Sequence, residues 1–168
     1  SSGSPFCSGT LIDRDVVVTA SHCTEGNTAA NIRFGVGDPN RPDGLFRLHS
    51  IQEHASRDVA LLFLSEDAVT AVPTIEPMAT LRETLPQSMV GRAVEAAGYG
   101  ETHDNSTGRY FASVTLMSIS TDHYTVDGRG QRGICFGDSG GPLLVEIDGY
   151  PVVAGVESFG DPTCVDVD

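Results

Sequence analysis

The sequence predicts an all-β protein built in two halves, and three observations carry that reading. Apolar runs with strand composition recur at short intervals along nearly the whole chain. No stretch keeps a helical period over the length a confident long helix needs. Midway, the segment VPTIEPMATLRETLPQS at 72–88 interrupts the pattern with Pro73, Pro77 and Pro86, and reads as a linker running over the surface. The division gives lobes at 1–80 and 81–168.

The elements follow in order. SGTLI (8–12) and VVVTA (16–20) flank the polar turn DRD, and NIRFGV (31–36), LFRLHSI (45–51) and DVALLFL (58–64) complete the first half. The second half holds AVEAAGYG (93–100), FASVTLMSI (111–119), GPLLVEI (141–147) and PVVAGVESF (151–159). Between the last two stands Asp148-Gly149, a pair that supports the positive backbone angles of a tight hairpin turn. No internal repeat of fixed period and no low-complexity tract is present.

Composition narrows the setting. With 168 residues, 39% hydrophobic and 20% charged, the chain can bury a sizeable core. Its net charge of −13 gives no basic footprint for phosphate, so nucleic acid and anionic membrane are not expected as partners. No window approaches a membrane-spanning length of apolar residues, and SSGSPFCSG lacks the regions of a signal peptide.

Cys7, Cys23, Cys135 and Cys164 form no C-x-x-C pair and no zinc-finger spacing with histidine, so metal and redox readings are weak. Disulfides are the stronger reading, and four buried free thiols the competing one. Bridges within each half would each stabilise by ~3 kcal/mol and would place the protein outside the cytosol, secreted or periplasmic.

Chemistry concentrates around GDSGGP at 137–142, where one hydroxyl stands between an acid and two glycines ahead of a strand. Turn punctuation alone could account for the glycines and proline. The stretch also matches the G-x-S-x-G elbow, but that motif leads into a helix and precedes its histidine. Here a strand follows, and His22, His49, His54, His103 and His123 all come before Ser139. A serine hydroxyl needs a base to take its proton and a third group to orient that base. His22 is the candidate base, at the end of the apolar run VVVTA and beside Cys23. The other histidines read as surface or turn residues, with His49 and His54 at a strand end and on opposite faces. Asp58 is the candidate orienting acid, because it opens the most continuous apolar run, where an inward carboxylate must find donors.

Together these stretches resemble the chymotrypsin/trypsin-like serine peptidases. FCSGTLIDRDVVVTASHC is similar to the family's histidine segment, RDVALLFL to its aspartate segment and CFGDSGGP to its serine segment, in the family's order. The resemblance spans nearly the whole chain and implies two six-stranded antiparallel barrels with the active site in the cleft between them. It implies a serine endopeptidase in which Ser139 attacks, His22 is base and acid, and Asp58 orients the imidazole. It implies an oxyanion hole from the N–H groups of Gly137 and Ser139, an activating pairing of Asp138 with a new α-amino terminus, and disulfides Cys7–Cys23 and Cys135–Cys164.

The same resemblance places a substrate pocket at Gly133, Ile134, Phe136, Ser158, Phe159 and Gly160. Gly133 stands where an aspartate would select Lys or Arg, so Phe, Tyr, Leu or Met is the expected side chain before the cut, with Asp161 a potential source of the opposite preference. Protein or peptide substrates are the expected partners, protein inhibitors a second class, and a monomer the expected state. No cofactor and no metal are expected. Asp38, Asn40 and Asp43 could offer oxygens to calcium, but turn formation explains them. The family's I-V-G-G-like start and its final pocket strand and helix do not stand in this sequence, so a compact member truncated at both ends is expected. A catalytically silent, zymogen-like binding or signalling module is the alternative reading, and a secreted ligand-binding β-barrel a third.

Overall fold

The structure, a computed structural model, describes residues 5–100, 108–130 and 134–160. Among them are strands β1 (Thr10–Asp13), β2 (Val16–Thr19), β3 (Arg33–Asp38), β4 (Arg41–Glu53), β5 (Ala60–Leu64), β6 (Ala93–Gly98), β7 (Tyr110–Ile119), β8 (Tyr124–Asp127), β9 (Pro142–Ile147) and β10 (Tyr150–Val156). A one-turn helix α1 (Ala68–Ala71) follows β5, its start capped by the Asp67 carboxylate accepting from Thr70 N–H.

Two five-stranded antiparallel sheets result, ordered β1-β2-β5-β4-β3 and β10-β9-β6-β7-β8. The all-β expectation therefore holds, with five strands described in each sheet against the six that the resemblance implies. Each sheet has its own core: Leu11, Val17, Phe46 and Leu62 centre the first, and Val94, Val114, Leu116 and Leu143 the second. Alternating burial along β5 and β6 shows why, since a strand sends successive side chains to opposite faces.

Local sequence explains most turns. The Asp148-Gly149 pair takes φ of 52° and 83° and joins β9 to β10, with Ile147 opposite Tyr150. Pro39-Asn40 joins β3 to β4, and Asn40 N–H donates to Asp38 Oδ1 at 2.7 Å, the turn role expected for those residues.

Two expectations change. β4 is far longer than LFRLHSI, because a register irregularity at His49 lets it pair first with β3 and then with β5. His49 thus lies inside a strand, its ring stacked 5.9 Å from that of Phe63, not at a strand end. The short strand β8, YTVD, follows His123 where only a turn was read.

The segment 72–88 runs over the surface between the two sheets, mostly exposed as expected, and is also tied down along its length. Met78 N–H donates to Leu11 O, while Leu81 N–H and Ala79 O both bond Val153 of β10. Leu85 then buries itself in the second core. The segment is stitched to both sheets, because its prolines are spaced widely enough to leave donors between them.

Candidate active site

Elements from both sheets converge at one place. β2 ends at Thr19, Ala20 is fully buried, and Ser21–Cys23 forms a single 3₁₀ turn that turns His22 outward. Two restraints hold this turn: Ser21 Oγ donates to Val59 O at 2.7 Å, and Cys23 is disulfide-bonded to Cys7. The bridge matches the pairing implied by the resemblance. Cys135 is also disulfide-bonded, while its expected partner Cys164 lies outside the described residues.

Asp58 stands just before β5 and meets His22 twice. His22 N–H donates to Oδ1 at 2.8 Å, and His22 Nδ1 lies 2.7 Å from Oδ2. An ionised carboxylate only accepts, so Nδ1 carries the proton in this pairing. A third bond comes from the other sheet: Ser158 Oγ donates to Asp58 Oδ2 at 2.5 Å. Partial burial pushes the Asp58 carboxyl up, but the bonds from Ser158 and His22 outweigh it and hold the group below the usual carboxylate range.

Ser139 sits half-buried in the loop between Cys135 and β9. Its carbonyl accepts Ser8 N–H at 2.8 Å, and the disulfide sulfur of Cys23 lies 3.5 Å from the same oxygen, a packing contact because that sulfur carries no proton. The residue beside His22 is thereby pressed against the serine loop. Gly137 and Gly140 take φ of 96° and 86°, a region that L side chains rarely adopt. A Cβ at Gly140 would stand only 2.1 Å from Thr19 Oγ1 and 2.3 Å from Ser8 O. Turn punctuation alone would not demand that closeness; contact between the two sheets does.

The loop has further anchors. Asp138 accepts from Gly100 N–H at 2.8 Å and Cys135 N–H at 2.9 Å. Glu157 N–H and O bond Gly141 O and Gly140 N–H, and its buried side chain accepts Ala97 N–H at 3.1 Å. Ile134, Asp138 and Glu157 line a cavity of about 110 Å³ with Ala96, Ala97 and Gly98.

The expected pocket residues divide. Ile134 lines that cavity and Ser158 bonds Asp58, a role the sequence reading missed, whereas Phe136 and Phe159 are exposed. Gly160 is exposed too, and Gly133, Asp161 and His103 lie outside the described residues. The partners missed by sequence reasoning are Ser8, Glu157 and Ser158 in its contact with Asp58, all joined to the site over long chain separations. Cys7, His22 and Cys23 also cluster, but disulfide sulfurs offer no thiolate to a metal.

Comparison with known proteins places the chain in a family. The chain is 29% identical over 185 residues to chymotrypsin-like elastase family member 1 of Bos taurus, covering 91% of this chain and 67% of the relative. It is 27% identical to vitamin K-dependent protein C of Rattus norvegicus, covering 92% of this chain and 40% of the relative. Serine protease 1 of Drosophila melanogaster is 28% identical over 94% of this chain and 66% of its own length. The chain thus spans between 40% and 67% of these relatives. With a model of the Trypsin family matching residues 1–166, the chain belongs to the trypsin family.

Proposed function

We propose that this chain is the protease portion of a serine endopeptidase that cuts peptide bonds through Ser139, His22 and Asp58, with lobes at 1–80 and 81–168. The observation that carries the reading is the double hydrogen bond of His22 to Asp58 beside a loop that presents Ser139. Ser139 Oγ attacks the peptide carbonyl carbon as its proton passes to His22 Nε2. The oxyanion formed is met by the N–H groups of Gly137 and Ser139. His22 then gives the proton to the departing amine, the C–N bond breaks, and an acyl-enzyme remains. Water repeats the sequence: His22 takes its proton, the acid product leaves, and Ser139 regains its hydrogen. Asp58, steadied by Ser158, keeps the imidazole in the tautomer with Nε2 free and stabilises its charged form.

Asp138 is the group we assign to an activating α-ammonium, since its carboxylate lines the cavity beneath the loop. Ile134 supports a preference for Phe, Tyr, Leu or Met before the cut. Protein substrates and protein inhibitors follow as partners of a monomer. The Cys7–Cys23 bridge supports an oxidising, extracytoplasmic setting. No helix among the described residues is long and apolar enough to cross a membrane.

A peptide-library digest with the full-length protein, beside its Ser139→Ala variant, tests the reading. Cleavage that the variant abolishes while keeping its thermal unfolding supports it. Equal turnover by the variant overturns it, and a profile dominated by Arg or Lys overturns the apolar preference.

A further inference from the structure

We propose that Ser8 is a positioning residue for catalysis, whose hydroxyl clamps the peptide after Gly137 and so presets the oxyanion loop from the opposite sheet. This rests on the peptidase reading above and concerns a residue that touches neither substrate nor reacting atoms.

Ser8 is buried, at 8% exposure, between the disulfide residue Cys7 and the start of β1. Its three hydrogen-bonding groups make four bonds, all to other segments. Its N–H donates to Ser139 O at 2.8 Å, and its carbonyl accepts Thr19 Oγ1 at 2.8 Å. Its hydroxyl donates to Gly137 O at 2.9 Å and accepts Tyr99 N–H at 2.9 Å. A serine hydroxyl has one proton, so the two bonds fix its rotation: the proton goes to Gly137 and a lone pair faces Tyr99.

The backbone bonds are open to any residue at this position. Only the hydroxyl reaches Gly137 and Tyr99, and that is where it matters. Gly137 and Ser139 are the two residues whose N–H groups must converge on the oxyanion, and Ser8 holds the carbonyl of each. Gly137 is glycine at a positive φ, a residue with wide backbone freedom unless its peptides are restrained from outside. Tyr99 is also the neighbour of Gly100, whose N–H holds Asp138, so the hydroxyl ties the loop to the strand end that anchors its carboxylate. Donors preset in this way cost no reorganisation when charge develops, which is the condition for oxyanion stabilisation. Losing the hydroxyl leaves Gly137 O without this donor and Tyr99 N–H without this acceptor, and lets the loop sample other peptide orientations.

The test is Ser8→Ala in the full-length, processed protein, because alanine keeps the backbone bonds to Ser139 and Thr19. Steady-state kinetics on a peptide substrate is read together with affinity for a peptidyl trifluoromethyl ketone, which forms an oxyanion with the serine. We expect kcat to fall roughly 10- to 30-fold, less than the ~10² to 10³ typical of deleting an oxyanion donor itself. KM should stay within about twofold and ketone affinity should fall in parallel with kcat, a split that general loosening of the fold would not give. Should the alanine variant not fold, Ser8→Gly removes the same hydroxyl and is held to the same outcomes. An active wild type whose variant keeps its kcat, or loses only in KM, or binds the ketone unchanged, overturns the role of Ser8 alone. A wild type that hydrolyses no peptide overturns the peptidase reading and this inference with it.

Discussion

The two halves of the site are held in different ways. His22 and Asp58 belong to one sheet, at the ends of paired strands β2 and β5, and they bond each other directly through both carboxylate oxygens. The serine loop bonds within itself at Cys135, Asp138 and Gly141, but much of its anchorage comes from other segments. Ser8, Gly100 and Glu157 hold it, from the first sheet, the end of β6 and the end of β10. The proposed base is therefore positioned by neighbouring strands, and the proposed nucleophile by a junction. Damage to the first should change proton handling with the fold intact, whereas damage to the second should change geometry and stability together.

The largest expected effect separates chemistry from support. His22→Ala should cost on the order of 10⁴-fold or more in kcat/KM with only a small change in thermal unfolding, because the histidine is exposed, its backbone N–H keeps one bond to Asp58, and members of such a unit fail together. Gly140→Ala tests the junction. A positive φ and close contacts with Thr19 and Ser8 should make it destabilising by roughly 1–3 kcal/mol or more, with activity lost at the same time. Denaturant unfolding of the variant checks this, and an unchanged midpoint would show that the loop is not gripped as described.

Smaller effects follow for Asp58. Its carboxyl is held below the usual carboxylate value, so its pairing stabilises the fold fully above about pH 4, and that contribution disappears as pH falls through the lowered folded value. The stability advantage of wild type over Asp58→Asn, measured by urea unfolding, should therefore shrink between pH 6 and pH 3. The smallest expected effect is at the exposed ion pair Arg57–Asp122, 3.0 Å long, which links the loop before Asp58 to the second sheet. Arg57→Ala should cost less than about 1 kcal/mol, and less still in high salt.

How much was legible in the sequence follows the same division. Strand runs with a clear period and turns with committed residues, such as Asp148-Gly149, could be read locally. His22 and Asp58 were legible because each stands beside a strong apolar run, and Ser139 because its glycines are confined to one short segment. Ser8, Glu157 and the bond from Ser158 to Asp58 were not legible: each is a contact between segments far apart in the chain, and no local pattern encodes it. Strand β8 is too short to show a period, and the bonds from 72–88 to both sheets were hidden because prolines mark where donors are missing, not where the remaining donors go.

The central claim is that a base positioned in one sheet activates a serine held at the junction of two. It is tested most directly by reacting the full-length protein with a fluorophosphonate and mapping the adduct by mass spectrometry, in wild type and in Asp58→Asn. The account predicts a single adduct on Ser139 that forms at least ~10³-fold more slowly in the variant, where the imidazole loses its orienting acceptor. An adduct on another residue, or equal labelling rates in the two proteins, would contradict it.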